Sequence, residues 1–340
     1  MRLQDIWVAL SILFSLPSNG QNNPSSQIRF SEVSQKMGSR FEISFYHHDS
    51  VQAEKLFDIA WKEVDRIEDL ISSWDPNSET SKINRNAGVQ PVKVDPLLFQ
   101  LIRRSTLVSK LTQGSFDISY AALDSIWPFP KGPANIPDST TVRRILSRVG
   151  YSKIRLNQQD TTVFLSQKGM KIGFGAIGKG FVAERVKAIL EYKGVRSGVV
   201  NAGGDLITWG TLPNGKPWNV GIADPNRKNG IISMLPTLNR AVVTSGNYER
   251  YVMINGTRYS HILDPRTGWP VRGVKSVTII GMNAELCDAL ATAVFVLGPE
   301  LGLDFINQLK GYDCLIVDSD DQVSLSENLS YELFGEKGDD

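Results

Sequence analysis

Asn255-Gly256 falls between two alternating runs, at 248–254 and 258–263. An Asn-Gly pair tolerates the positive φ angles of a tight two-residue turn, so these runs are predicted to pair as an antiparallel hairpin. Further strands are predicted at 170–174, 198–201, 217–222, 241–244, 274–280 and 313–317. Helices are predicted at 177–192, 284–297 and 299–309, with Gly194 and Gly298 as C-terminal stops. Helices interleaved with hairpins point to an α+β fold, with antiparallel or mixed sheets and packed helices, rather than a doubly wound parallel sheet.

The first half supports the same reading. Phe41, Ile43 and Phe45 alternate with polar residues, as in a half-buried strand. From Val51 the period lengthens: Leu56, Ala60, Val64, Ile67 and Ile71 form one helical stripe, with Ser50 as the expected N-cap. Asp95-Pro96 opens a second helix that carries Leu97, Leu101, Val108 and Leu111 and stops at Gly114. A third is expected from Asp138-Ser139 through Val142, Ile145, Leu146 and Val149 to Gly150. Pro128-Phe129-Pro130-Lys131-Gly132-Pro133 reads as a rigid loop. No repeat, charge block or long linker divides residues 28–334, which are expected to form one domain.

The 340 residues carry 37 basic and 36 acidic side chains, a net charge of +1. That balance gives no footprint for nucleic acid or for an anionic membrane surface. Residues 1–20 have the layout of a signal peptide: Arg2, an apolar core from Ile6 to Leu16, then small residues at Ser18 and Gly20. The apolar core is too short to span a bilayer. Residues 21–27 read as a flexible leader, and 335–340 as a solvated acidic tail. Cys287 and Cys314 sit in apolar surroundings and are expected to be buried free thiols.

Three constellations carry chemistry. The first is Tyr259 to Gly268, which places His261, Asp264, Arg266 and Thr267 on a turn after a strand. Packing does not need that combination, whereas a polar ligand does. His47 and His48, the other histidines, read as surface residues. The second is Asp288 and Thr292, four apart in an otherwise apolar helix, so their oxygens share one face. Oxygen ligands suit Mg²⁺; the alternative is an Asp bonded to a neighbouring turn and a Thr bonded to its own helix. The third is Gly173 to Gly180, with four glycines in eight residues after a strand. Such a turn, with Lys179, can hold an anion at a helix N-terminus, or can simply allow close packing.

In order along the chain these segments resemble the ApbE family, the FAD:protein FMN transferases. Met37-Gly38-Ser39 is similar to the family's strand start, and Ser72 to Glu79 with Ile83-Asn84 to its serine-rich aromatic segment. Gly114-Ser115-Phe116-Asp117 with Trp127, then Gly175-Ala176-Ile177-Gly178-Lys179-Gly180, follow. Asn201 to Asp205, Thr244 to Tyr248, His261 to Gly268 and Asp288 to Thr292 complete the order. The resemblance implies an exported, periplasmic enzyme that binds FAD and Mg²⁺. It would transfer FMN to a Thr or Ser of an acceptor flavoprotein and meet membranes only through that acceptor. It implies metal ligation by the main-chain oxygen of Ala176 and by Asp288 and Thr292, and flavin contacts at Met37, Trp74, Ser115, Phe116, Asp117, Lys179 and Ile262. His261 matches the family's catalytic-region histidine, and Asp288 and Lys179 join it as catalytic candidates. Two positions depart from the pattern: Gly173 and Glu184 each stand where an Asp is usual. Two other readings fit the same residues: a Mg²⁺-dependent FAD pyrophosphatase releasing FMN and AMP, and a non-enzymatic exported flavin-binding protein.

Overall fold

Val242 and Val243 are neighbours on one strand, and both are buried, in different hydrophobic clusters. Their side chains point to opposite faces, so the sheet that contains them is covered on both sides. A computed structural model of the chain describes residues 27–129, 136–227 and 230–329. The signal-peptide segment, all of the leader but Gln27, the end of the proline-rich loop and the acidic tail lie outside the described residues.

In chain order the elements are β1 (Ile28–Lys36), β2 (Ser39–His47), α1 (Ser50–Ile71), α2 (Glu79–Arg85), β3 (Val92–Lys93) and α3 (Pro96–Leu111). A 3₁₀ turn, Ile118–Ser125, precedes α4 (Ser139–Leu146), β4 (Ile154–Asn157), β5 (Thr162–Leu165) and α5 (Gly178–Tyr192). Then come β6 (Gly198–Ala202), β7 (Asp205–Trp209), β8 (Trp218–Ala223), β9 (Ile231–Thr237) and β10 (Ala241–Gly246). The hairpin β11 (Tyr251–Ile254) and β12 (Thr257–Ser260) leads to β13 (Val274–Gly281), α6 (Ala284–Leu297), α7 (Pro299–Asn307), β14 (Asp313–Asp318) and β15 (Val323–Leu325).

The main sheet has eight strands in the order β1-β2-β6-β7-β10-β13-β14-β15. Every neighbouring pair in it is antiparallel, so the fold is α+β as expected. α6 lies on β10 and β13, α5 on β6 and β7, and α1 against α5. Val243, Val277 and Ile279 face these helices, while Val242, Ile280, Leu315 and Val317 meet the β8–β9 pair on the other face. Leu290, Val294 and Phe295 of α6 are fully buried. Each such side chain contributes about 1.5–3 kcal/mol of apolar burial, which fixes α6 and the groups it carries. A smaller cluster joins Leu123 and Trp127 to α4 and the β11–β12 hairpin. Trp127 stacks on Tyr259 with ring centroids 5.7 Å apart, and its indole N–H donates to Gly268 O at 3.0 Å.

Several boundaries differ from expectation for identifiable reasons. Asp49, not Ser50, caps α1, accepting from Gln52 N at 3.0 Å. α4 stops at Leu146, before Val149 and Gly150. Residues 170–174 form no strand. The Asn84 side chain stands in for a partner strand there, receiving Ile172 N at 2.8 Å and donating to Ile172 O at 3.0 Å. The expected strand starts at 248 and 217 fall at Tyr251 and Trp218, and the Asn255-Gly256 turn has φ 50° and 76°. Cys287 and Cys314 are buried and free. Among the described residues no helix is long and apolar enough to cross a membrane.

Candidate active site

Between the main core and the Trp127 cluster lies a cavity of about 510 Å³. That is within the size range of small-molecule sites. All eleven site residues expected from the sequence border it: Met37, Trp74, Ser115, Phe116, Asp117, Ala176, Lys179, His261, Ile262, Asp288 and Thr292.

One wall is apolar. Met37 sits in the β1–β2 turn at φ 50°, an uncommon conformation for a residue with a side chain. The turn is tied down by Met37 N donating to Glu68 Oε1 at 3.1 Å. Trp74 is 74 % exposed, a large aromatic surface left mostly open among the described residues. Phe174 and Phe129 add further ring surface, and Ile262 extends it. Ser115 Oγ is buried without a hydrogen-bond partner among the described residues, an orphan hydroxyl at a cavity wall. Asp117 is different. Its carboxylate accepts from Ser119 N, Ser119 Oγ and Tyr151 N at 2.7–2.8 Å, so its side chain is committed to holding the 3₁₀ turn.

The other wall is polar and rests on α5 and α6. Asp288 is buried, and its Oδ2 accepts from Gly180 N at 3.0 Å. Burial first, then the nearby Asp205 carboxylate, pushes the Asp288 pKa well above the ordinary carboxylate range. Asp205 is 1 % exposed and is also raised by burial. Lys179 Nζ lies 3.0 Å from Asp205 Oδ2, although not in hydrogen-bonding geometry. Burial works against the Lys179 charge, but Asp205, Glu249 and Asp288 outweigh it and hold its pKa above that of a free lysine. Thr292 Oγ1 has only a long contact, 3.4 Å to Ser245 Oγ.

The glycine-rich turn is less open to anions than its composition suggests. Ile177 N and Gly178 N both donate to Phe174 O, and Gly180 N is taken by Asp288. The turn lies tight against the 3₁₀ segment: a Cβ at Gly175 would come within 2.7 Å of the Tyr120 hydroxyl. Ala176 faces the same cavity as Asp288 and Thr292. A carboxylate, a hydroxyl and a main-chain oxygen form the kind of donor set a hard divalent cation takes, with room for phosphate oxygens.

His261 follows β12. Its backbone N–H donates to Arg250 O at 3.1 Å, and Nδ1 lies 3.0 Å from the same oxygen, which fixes the ring. Burial lowers its pKa to about 4; the Arg250 and Lys179 charges act in the same direction and the bond to the Arg250 carbonyl opposes them. The imidazole is therefore neutral at pH 7 and able to accept a proton. His47 and His48 stack on each other at the end of β2, outside the cavity lining.

Some lining residues had no role in the sequence reading: Tyr120, Asp124, Phe129, Phe174, Glu249 and Arg250. Asp124 is pushed up to about 6 by burial, with Lys171 opposing. Phe174 and Phe129 lie in the glycine-rich turn and the proline-rich loop read from the sequence, but no local motif marks the other four, and only the folded chain brings them together.

A model of the ApbE family matches residues 37–316. The chain belongs to the ApbE family. It is 32% identical over 292 residues to a FAD:protein FMN transferase of Klebsiella pneumoniae (strain 342), covering 85% of this chain and 89% of that one. It is 32% identical over 272 residues to the enzyme of the same name from Treponema pallidum (strain Nichols), covering 76% and 75%. The crystal structure of the ApbE protein from Thermotoga maritima superposes with a TM-score of 0.82 at 31% identity, covering 91% of this chain and all of that one. Against the ApbE pattern, the two departures have structural accounts. Glu184 reaches the N-terminus of α6, where its Oε2 accepts from Ala284 N at 2.6 Å. A Cβ at Gly173 would sit 3.1 Å from Ala121 Cβ and point toward Ser73 and the Tyr120 hydroxyl, so a side chain here would press on Ala121.

Proposed function

We propose that this chain transfers FMN from FAD to a Thr or Ser hydroxyl of an exported or membrane flavoprotein, in a Mg²⁺-dependent reaction that releases AMP. The observation that carries the reading is one cavity joining an apolar wall with the exposed Trp74 to an oxygen-donor set around the buried Asp288 and a neutral histidine. The aromatic wall of Trp74, Phe174 and Met37 suits a planar ring, and the orphan Ser115 hydroxyl offers it a polar anchor. Ala176 O, Asp288 and Thr292 would hold Mg²⁺, which when bound would neutralise phosphate oxygens. Lys179, paired with Asp205 at 3.0 Å, lines the same wall.

The neutral His261 imidazole accepts the proton of the acceptor hydroxyl. The hydroxyl oxygen forms a new P–O bond to the phosphorus on the FMN side, and the bond from that phosphorus to the bridging oxygen breaks. The bridging oxygen and its electron pair leave with AMP. Such a reaction depends mainly on alignment and charge, which a pre-built cavity supplies. The N-terminal layout supports action outside the cytoplasm.

The test is to incubate the protein with FAD and Mg²⁺, with and without a Thr-bearing exported flavoprotein, and to follow AMP release and the acceptor's mass. Transfer adds one FMN to the acceptor. AMP release with no acceptor labelling would make the chain a pyrophosphatase. Tight flavin binding without AMP release would make it a carrier.

A further inference from the structure

We propose that the Arg250 guanidinium binds the pyrophosphate of the dinucleotide and holds the charge that builds on the departing nucleotide phosphate. The inference rests on the reading of FAD as substrate and deepens it.

A pyrophosphate brings two negative charges into a cavity already bordered by Glu68, Asp124, Glu249 and Asp288. A divalent cation at Asp288 and Thr292 would offset part of this charge, and the side chains of the wall would have to offset the rest. Among the described residues the lining offers two permanently cationic side chains, Lys179 and Arg250. The Lys179 ammonium is already 3.0 Å from Asp205, a carboxylate 1 % exposed that has no hydrogen-bond partner of its own among the described residues. Its charge is therefore largely spent within the protein. Three of the turn amides, Ile177 N, Gly178 N and Gly180 N, donate instead to Phe174 O and Asp288.

Arg250 is placed differently. Among the described residues it makes no ion pair within 4.0 Å and no side-chain hydrogen bond. Its guanidinium reaches across to the β1–β2 turn, where a Cβ on Gly38 would lie 3.6 Å from Nη2. The side chain thus spans from the β10–β11 connection to the turn that presents Met37, on the border of the cavity.

The backbone of the same residue holds His261, through the Arg250 carbonyl at 3.1 Å from N and 3.0 Å from Nδ1. One residue therefore supplies both the carbonyl that holds the imidazole and a cation at the cavity border. A planar guanidinium can give two parallel charge-assisted bonds to phosphate oxygens, a geometry an ammonium cannot copy. An arginine in this role is a recurrent means of stabilising phosphoryl transfer.

The experiment compares wild type, Arg250→Gln and Arg250→Lys for equilibrium binding of FAD and of riboflavin, followed by flavin fluorescence, and for AMP release with Mg²⁺. Riboflavin has the ring and no phosphate. Arg250→Gln should weaken FAD binding about 10- to 100-fold, as expected for losing a charged hydrogen bond. Riboflavin binding should change less than about twofold, on the same reasoning that the bond is to phosphate. Arg250→Lys should recover part of the FAD affinity but not the full AMP-release rate. Equal weakening of FAD and riboflavin would assign Arg250 to the fold of the turn and overturn the proposal. So would unchanged FAD binding in Arg250→Gln. If wild type binds FAD yet labels no acceptor, the transferase reading fails, and the ratio of FAD to riboflavin affinity still decides the role of Arg250. If wild type shows no preference for FAD over riboflavin, the pyrophosphate contact itself is refuted.

Discussion

Gly180 is where helix packing and the candidate catalytic group meet, and two effects compete there. It is the third residue of α5, so replacing it with alanine should gain about 1 kcal/mol of helix propensity. Against this, a Cβ at 180 would lie 2.2 Å from Ala284 O, 2.7 Å from Ala284 C and 2.8 Å from Asp288 Cβ. Carbon normally meets a carbonyl oxygen at about 3.3 Å or more, so α5 and α6 would have to part by about 1 Å. The first contacts are backbone, which cannot rotate away. Overpacking of this kind typically costs about 1–3 kcal/mol, and the rigid contact argues for the upper end. Net of propensity, Gly180→Ala should destabilise by about 2 kcal/mol, a fall in Tm of roughly 4 °C for a chain of this size. The same shift stretches the 3.0 Å bond from Gly180 N to Asp288 Oδ2, so turnover should fall as well. Gly178→Ala is the control. A Cβ there meets the side-chain ends of Ile71 at 3.0 Å and Met37 at 3.5 Å, which can yield, so Tm should barely change. Thermal melts of the two variants beside wild type decide it. A Gly180→Ala protein that melts at or above wild type would refute the close α5–α6 approach and the account of how Asp288 is held.

His261→Ala should slow FMN transfer by about a hundred- to ten-thousand-fold while FAD affinity stays close to wild type, as measured by titration and initial rates. Because burial lowers the His261 pKa from 6.5 to about 4, the wild-type rate should hold through neutrality and fall only as pH approaches about 4; a break near 6.5 would contradict the buried geometry. By the same shift, the folded state binds this proton less readily than the unfolded one, so urea titrations should show His261 costing stability as pH falls below 6.5, with the loss complete below about 4. Asp288→Ala should abolish Mg²⁺-dependent AMP release while thermal melts show that the fold largely survives; full FAD cleavage by this variant in chelator would remove the metal assignment. N-terminal sequencing of protein recovered from the cell envelope should begin near Gln21, whereas an intact Met1 on cytoplasmic protein would count against export.

The elements legible in the sequence were those with strong period and strong caps. α6 runs from Ala284 to Leu297 as expected, because an apolar run closes on Gly298 at φ 81°. The Asn255-Gly256 hairpin and β13 were legible for similar reasons. β9 was not, because Met234 and Pro236 break the alternation; Pro236 is tolerated where β9 pairs on one side only. β1 was missed because it is an edge strand with polar residues on much of its length. The short β3, β4 and β5 carry too few residues for a period to show. At the site, linear motifs identified residues that share a turn or a helix face, such as Asp288 and Thr292. They did not reveal Arg250 or Asp124, whose neighbours in the fold are distant in the chain. Nor could composition show that Asp117 spends its carboxylate on its own turn, or that Asp205 occupies Lys179.

The cavity draws its walls from stretches scattered between Met37 and Thr292. No fragment of the domain contains more than part of it, so the pocket comes into being only with the last long-range contacts. A nucleotide held there favours the complete native state over every partly folded one, by about 2.7 kcal/mol at a hundredfold excess over Kd. Occupancy thus serves as a measure of finished folding, and FAD should slow proteolysis at loops far from the cavity as much as at its rim. A chain that crosses a membrane unfolded can carry no flavin with it, and would have to meet its dinucleotide on the far side.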